Sequence, residues 1–533
     1  MRALTIAAFA LASPAAAIGD AGELAAYVRA RAADADGQSA LAAADYARAL
    51  NGAPDDVLIA IRAYRAGLQA GDAGLVEQAR KLLEEADVGP RDTAVLALAQ
   101  ALSIGDGKAS DAALARIADG PLSFLAPALR AWTLVEGEPD RALAVLAAAP
   151  RRSIGARYVA EARSLILIAV GQQQAGLTAL RAAAAGGNGD LSLRVTAAQL
   201  LVARGAIEEA RLLFATGDAA VGDATHRLAS AGLTTGPARL GIARLLASLA
   251  RDIGEGETAI LAIALARAAL ILHPGDAPAL LALAQGLAEE GASTQALAAL
   301  DQVGTDSPWF AAQQDLRIAV LARAGRPAEA LALALPLARA DVGDATAHRR
   351  VGDLLMASDR FADAGASYRR AIERAGTGAG WRLYLQAGSA FDRAGRWGDA
   401  VPFIERAAEL APDEPVALNY LGYGLLENDG DRARATRLLE RALALRPDDG
   451  SILDSLGWCY FLTGDLPRAL PLLERAVAQS PDNTTINDHL GDAYWRAGRH
   501  FEARYAWSAA KGLATGDDEA RIATKINGAP GPQ

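Results

Sequence analysis

The chain has 533 residues, of which 52% are hydrophobic but only 5% aromatic, so alanine and leucine supply most of its apolar surface. Alanine and leucine favour helices, and the alternating runs rich in valine and isoleucine that strands need are scarce. The composition therefore predicts an all-α protein. Its 53 basic and 63 acidic residues give a net charge of −10. Because an acidic chain without a basic cluster is a poor ligand for nucleic acid or for an anionic membrane surface, we expect it to bind neither.

The first 17 residues have the features of a secretory signal peptide. Arg2 precedes the apolar run of residues 3–12, and Ala15 and Ala17 fit a cleavage site formed by small residues. The run is shorter than the roughly 20 residues of a membrane-spanning helix. We therefore predict cleavage after Ala17 and a periplasmic protein, with a short buried helix as the alternative. Because the run is this short, we expect no stable membrane insertion. Because no cysteine follows it, we expect no lipid anchor.

Residues 20–215 are predicted to form an N-terminal array of helix hairpins. Glycines that would each turn one helix into the next recur every 32 to 34 residues, at Gly37, Gly71, Gly105, Gly137, Gly171 and Gly205. An alanine stands five residues after the first, fourth and sixth of these glycines. Chance spacing in a chain with 52 glycines is the alternative.

The period is interrupted once. The next turn glycine, Gly254, comes 49 residues after Gly205, and the excess falls in the segment 216–237, which is rich in small residues. We interpret this segment as a joint between two arrays that acts as a hinge or as a binding loop. A C-terminal array is predicted for residues 238–515, and its first units turn near Gly254, Gly291 and Gly325.

Five units within residues 345–515 share a detailed pattern. Each has a glycine within its first helix, a bulky apolar residue three positions later, then a turn residue and two alanines seven residues apart. The glycines are Gly352, Gly388, Gly422, Gly457 and Gly491. A helix, a tight turn and a second helix explain this order, because the small residues stand where two helices would approach closely. Such hairpins cannot bury an apolar face alone and must stack.

This pattern resembles the tetratricopeptide repeat family, whose motif has the same order of small, bulky, turn and alanine positions. The resemblance implies an all-α solenoid of about 14 helix-turn-helix repeats that form a right-handed superhelix. It extends to exported or periplasmic adaptor proteins of Gram-negative bacteria. After the last unit, residues 516–527 are expected to form a capping helix and residues 528–533 a disordered tail.

The sequence carries no pattern of catalysis. Cys459, the only cysteine, stands at a repeat position where other units carry small or apolar residues, and no histidine–asparagine pattern accompanies it. The five histidines are scattered, and ordinary packing of His489 and His500 is favoured over a metal site between them. Nucleotide-binding and hydrolase motifs are missing. We therefore predict no enzyme activity, no metal and no cofactor.

In tetratricopeptide folds the first helices of the hairpins line a concave groove. Carried over position by position, the resemblance assigns ten residues to a partner-binding groove: Asn419, Tyr423, Glu427, Asp454, Trp458, Phe461, Asp488, Asp492, Trp495 and Arg496. The alternative for the two tryptophans is that they fill the seams between units. Aspartates stand where a clamp for a peptide's terminal carboxylate would need asparagine or lysine, so we expect protein or peptide partners that are basic and apolar.

We therefore expect a non-catalytic scaffold or adaptor of the bacterial cell envelope. The resemblance extends this role to the delivery of substrates to an envelope protease, although the missing lipid-anchoring cysteine speaks against it. The alternative is a periplasmic repeat subunit of polysaccharide export or envelope assembly that binds glycan or a barrel protein. Aromatic residues beside aspartates suit either ligand.

Overall fold

The computed structural model describes residues 21–86, 88–90, 92–150, 152–184, 191–214, 233, 235–340, 344–428 and 430–528. Within them every regular element is a helix, so the predicted all-α repeat fold is confirmed. Fourteen successive pairs and one last helix make 29 α-helices in the described residues. No helix there is long and apolar enough to cross a membrane. The predicted signal peptide, most of the segment 216–237 and the last five residues lie outside the described part.

The chain forms two compact units, residues 1–326 and residues 327–533, which we call unit 1 and unit 2. The helices of unit 1 are α1 (Ala21–Ala35), α2 (Ser39–Gly52), α3 (Val57–Ala70), α4 (Ala73–Glu85), α5 (Thr93–Ile104), α6 (Gly107–Ala118), α7 (Ala126–Leu134), α8 (Pro139–Ala148), α9 (Ala156–Ala169), α10 (Gln173–Ala184), α11 (Leu191–Ala203), α12 (Ile207–Leu212), α13 (Pro237–Asp252), α14 (Ala259–Leu272), α15 (Ala277–Glu289), α16 (Ser293–Leu300) and α17 (Phe310–Arg323).

The helices of unit 2 are α18 (Pro327–Arg339), α19 (Ala345–Met356), α20 (Phe361–Ala375), α21 (Trp381–Arg393), α22 (Trp397–Leu410), α23 (Pro415–Glu427), α24 (Arg432–Leu445), α25 (Gly450–Leu462), α26 (Leu466–Gln479), α27 (Thr484–Arg496), α28 (His500–Leu513) and α29 (Asp517–Ile526). Helix α29 covers the residues expected to form a capping helix.

Local sequence signals explain where the helices begin and turn. Aspartate side chains accept a backbone N–H at the start of α3, α4, α6, α15, α19, α24, α25 and α26, which satisfies a donor that the first turn leaves unpaired. Ten of the predicted turn glycines adopt the left-handed conformation, and Asp359 does so with a φ of 55°. Only glycine enters this region at little cost, so the glycine period reflects the backbone geometry of the turns.

Small residues stand where the two helices of a hairpin meet, as predicted. A Cβ atom added at Gly422 would lie 2.8 Å from Cγ of Leu439, and one added at Gly457 would lie 2.8 Å from Cγ of Leu473. The paired alanines Ala435 and Ala469 of the second helices are fully buried. A larger side chain at any of these places would overpack the hairpin.

In unit 1 the chain fills the inner face of its own N-terminal hairpins. Helix α14 packs against α3 and α5, while α13 packs against α7, α9 and α11, all of which are first helices of hairpins. Arg267 of α14 donates to the backbone carbonyls of Leu68 and Gln69 at the end of α3, and burial lowers its pKa to about 10. Arg244 of α13 forms a buried ion pair with Glu161 of α9.

These contacts divide the chain at a different place from the expected one. The sequence period assigned residues 238–326 to the C-terminal array, but they belong to compact unit 1. The physical reason is that α13 and α14 bury their apolar surface against α3 to α11. Periodicity reports a repeated hairpin, not the helices against which that hairpin packs.

Candidate partner-binding groove

Two neighbouring cavities lie along the first helices of the unit 2 hairpins. The first, of about 730 Å³, is lined by residues of α19, α21 and α23, among them Arg349, Asp353, Arg382 and Gln386. The second, of about 370 Å³, is lined by residues of α21, α23, α25 and α27. Tyr420 lines both. We call them the first and second groove cavities, and together they form an open groove on the side predicted to bind partners.

The second groove cavity contains a hydrogen-bond acceptor without a partner. Oδ1 of Asn419 is buried and accepts no hydrogen bond from any described residue. Burial raises the pKa of the nearby Tyr423, and the negative charges of Glu427 and Asp454 raise it further. The phenol of Tyr423 therefore stays protonated at neutral pH and remains able to donate. The cavity thus offers a ligand one buried acceptor without a partner, beside a phenol that can donate.

Asp454 also lines this cavity but is bound within the chain. Both of its carboxylate oxygens lie 3.0 Å from Nδ1 of His489, which comes from the next hairpin. The ring of His489 stacks on Trp458 at a centroid distance of 3.9 Å, and Phe461 stacks on the same indole at 4.7 Å. Trp458 donates its N–H to Glu427 of the preceding hairpin at 3.3 Å. Trp458 thus joins three consecutive hairpins, as the seam interpretation expected.

Helix α29 covers the last two predicted aspartates. Nζ of Lys525 lies 2.8 Å from Asp488 and 2.7 Å from Asp492, and Arg521 lies 2.6 Å from Asp488. Lys525 is only 5% exposed. Burial raises the pKa of Asp492, while the ammonium of Lys525 lowers it. These two carboxylates therefore hold the last helix in place and are neutralised by it.

The remaining predicted residues lie at the same end of unit 2. Trp495 packs against His500 and Trp507 of the following helix, at centroid distances of 4.2 and 5.4 Å. Arg496 is exposed, and its guanidinium lies 5.1 Å from the ring centroid of Phe461. Neither Trp495 nor Arg496 lines a groove cavity.

The structure thus brings three of the ten predicted residues into one cavity: Asn419, Tyr423 and Asp454. The first groove cavity was not predicted, although five of its lining residues stand at the repeat positions of the ten predicted ones, in the units of Gly352 and Gly388: Arg349, Asp353, Met356, Leu385 and Ser389. For these five residues the repeat pattern itself is the signal.

Cys459 is packed in the interior of unit 2. Its side chain is fully buried, and the hydroxyl of Thr436 lies 3.2 Å from its sulfur. Burial raises the pKa of the thiol. The thiolate, which is the nucleophilic form, is therefore disfavoured at neutral pH.

Comparison with known proteins places these hairpins in a family. The family model for the tetratricopeptide repeat matches residues 319–380, 360–415 and 425–484. A curated relative, the TPR repeat-containing protein PA4667 of Pseudomonas aeruginosa, is 43% identical over 53 residues, which are 10% of this chain and 9% of that protein.

Similar solved structures each cover about a third of the chain. YrrB, described as a TPR protein with an unusual peptide-binding site, is 20% identical over 33% of this chain and 88% of its own, with a TM-score of 0.29. MamA of Desulfovibrio magneticus is 21% identical over 32% and 94%, with a TM-score of 0.28. Pseudomonas aeruginosa PilF is 14% identical over 34% and 82%, with a TM-score of 0.30. The family model thus identifies tetratricopeptide repeats between residues 319 and 484 of this chain.

Proposed function

We propose that this protein is an interaction scaffold whose unit 2 groove binds an extended segment of a partner protein. The observation that carries the proposal is the buried, unpartnered carbonyl of Asn419 in the second groove cavity. Leaving such an acceptor without a hydrogen bond costs about 1–3 kcal/mol. The backbone of a bound peptide supplies an N–H donor at almost every residue, so it satisfies this acceptor wherever its side chains permit.

The shape of the site supports an extended ligand over a small one. Because the two groove cavities share Tyr420, they follow one another along five successive first helices, from α19 to α27. A segment of several residues fills such a groove, whereas a small molecule needs only one cavity.

Photo-crosslinking tests this proposal in the cell. A photoreactive amino acid at Ser451, an exposed residue that lines the second groove cavity, should yield adducts with a protein. The Asn419→Leu change should reduce the adducts by about tenfold, because leucine keeps the branched shape but removes the acceptor and leaves the partner's donor unpaired. The matched control is Asn527→Leu, which changes an exposed asparagine at the end of α29. Equal adducts in the Asn419→Leu variant would contradict the proposal.

We place the scaffold in the bacterial cell envelope because residues 1–17 have the pattern of a signal peptide. The mature protein is then expected to begin at Ile18 and to fractionate with the periplasm. Delivery of substrates to an envelope protease is one role for such a scaffold, and assembly of an export complex is another. A cytoplasmic protein that retains Met1 would remove the envelope from the proposal but leave the groove intact.

A further inference from the structure

We propose that the first groove cavity selects a partner segment in which an acidic side chain stands beside apolar ones. This deepens the proposed function and rests on it. It also reverses the expectation of a basic partner, which depended on the negative charge of three predicted groove aspartates.

The three aspartates are already bound by side chains of the chain itself. Asp454 binds His489, while Asp488 and Asp492 bind Lys525. A basic ligand would have to replace partners that are already at hydrogen-bond distance, and it would gain little from doing so. We therefore expect these three aspartates to attract a basic segment only weakly.

The charged side chains that line the first groove cavity are mostly positive. Its charged lining residues are Arg349, Arg382 and Asp353, which leaves one positive charge in excess. Arg382 is exposed and forms no ion pair with a described residue, and its guanidinium lies 4.5 Å from the ring centroid of Trp381. This stacking holds the side chain against the cavity wall. Its N–H groups remain available for a carboxylate, which a guanidinium binds in a planar, bidentate manner.

The one acidic residue of the cavity is already engaged. The carboxylate of Asp353 accepts the hydroxyl of Tyr368 at 2.7 Å and the amide of Gln386 at 3.2 Å. Arg349 is half exposed and lies 3.9 Å from Asp353, at the outer limit of an ion pair. Arg349 can therefore turn to a second carboxylate without leaving Asp353 unsatisfied.

Apolar side chains complete the cavity. Met356, Leu383, Leu385 and Val416 line it beside the two arginines, and Val416 is 41% exposed. A ligand gains from burying apolar surface here, at roughly 25 cal/mol per Å² as an upper estimate. The complementary segment thus carries apolar residues next to a glutamate or aspartate.

A random-peptide library displayed on phage tests the inference with the full chain as bait. The peptides are fused through their C-termini, so that only side-chain carboxylates are present. We expect the selected peptides to be enriched in aspartate and glutamate next to apolar residues. The Arg349→Glu, Arg382→Glu double variant should reverse this preference towards lysine and arginine. The matched control is Arg369→Glu, which changes an exposed arginine of α20 outside both cavities.

Binding of one selected peptide, measured by fluorescence anisotropy, gives the magnitude. Each arginine substitution should weaken binding roughly fivefold, as for an exposed ion pair, and added salt should reduce the difference. Circular dichroism and thermal unfolding show whether the variants are folded. Selection of basic peptides by the wild-type chain would overturn the inference. So would selected peptides that bind the Arg349→Glu, Arg382→Glu variant as tightly as they bind the wild type. The proposed function would still stand if those peptides were lost in Asn419→Leu, and it would fail if no peptide were enriched over an empty surface.

Discussion

The two compact units are built from the same helix hairpin but differ in what covers its first helix. In unit 1 the first helices of the hairpins are covered by α13 and α14 of the same chain. In unit 2 the first helices line the open groove cavities. A repeat therefore does not by itself specify a binding surface. Whether the inner face is available depends on whether another part of the chain fills it.

The apolar cores differ in the same way. In unit 1 one continuous cluster of buried side chains extends from Ala26 to Val320. In unit 2 the buried residues from Phe391 onward fall into several small clusters along the chain. Since elements that share a core lose it together, we expect unit 1 to unfold as a block. Unit 2 should behave as a one-dimensional array, in which a destabilised hairpin unfolds locally and affects mainly its neighbours.

The largest expected effect is at the end of unit 2. Lys525→Met leaves the carboxylates of Asp488 and Asp492 without their ammonium partner, at a cost of about 3–5 kcal/mol for a broken buried pair. In a one-dimensional array the loss should stay in α27, α28 and α29. Hydrogen exchange measured by mass spectrometry should show faster exchange there and little change in α19 to α22. Faster exchange throughout unit 2 would contradict the array description.

A matched pair of glycine substitutions compares the two units directly. A side chain at Gly241 of α13 would overlap the buried ring of Trp132 in α7, and one at Gly457 of α25 would meet Leu473 of α26. We expect Gly241→Leu to destabilise the protein by about 3 kcal/mol, the upper end for overpacking. Gly457→Leu should cost about 2 kcal/mol on the same basis.

The difference to measure is how far each effect spreads. Hydrogen exchange should accelerate over most of unit 1 in Gly241→Leu, because α13 shares its core with α7, α9 and α11. In Gly457→Leu it should accelerate only from α23 to α28. A local response in both variants would show that unit 1 is an array as well.

The sequence predicted the hairpins well because their signals are local. The turn glycines, the aspartate caps and the small residues within the first helices each act over a few residues, and a period of about 34 residues repeats them. Packing at long range has no such signal. The contact of Arg267 with Leu68 and Gln69 joins residues almost 200 positions apart, so the position of α14 could not be read from the period.

The groove residues were partly predictable for a related reason. Repeat position assigned Asn419, Tyr423 and Asp454 to one face, and these three residues line one cavity. It could not show that Lys525 would bind Asp488 and Asp492, because α29 lies after the last repeat and no repeat position describes its side chains. Charge counted along one face therefore overstated the negative potential of the groove.

A smaller effect isolates the contact between α14 and α3. Gly71 has a φ of +82°, and a Cβ there would lie 2.9 Å from Nη1 of Arg267. Gly105 has a φ of +76° and nothing within 4 Å of its added Cβ. Both glycine-to-alanine changes incur about 1 kcal/mol of backbone strain. Gly71→Ala should cost about 1 kcal/mol more, because it displaces a buried guanidinium from two carbonyls. Equal urea midpoints for Gly71→Ala and Gly105→Ala would show that Arg267 can shift away from the new methyl group without loss of stability.

The smallest expected effect is a pH dependence at the other end of the chain. Asp45 of α2 lies 3.1 Å from Arg29 and 2.6 Å from Arg48, and hydrogen bonding to Arg29 lowers its pKa below the usual 3.8. A carboxyl group with a lowered pKa stabilises the fold fully above its ordinary pKa, and this contribution is lost as the pH falls through the lowered value.

Asp45→Asn should therefore cost about 0.5 kcal/mol near neutral pH, since both arginines are mostly exposed, and progressively less below about pH 4. Urea unfolding at each pH, with hydrogen exchange of α1 and α2 as the probe, measures the difference in free energy of unfolding between variant and wild type. A difference that grows with acidity would mean that Asp45 is held as a neutral acid. Asp45 would then stabilise α1 and α2 through hydrogen bonds of its neutral form, and not through the ion pairs with Arg29 and Arg48.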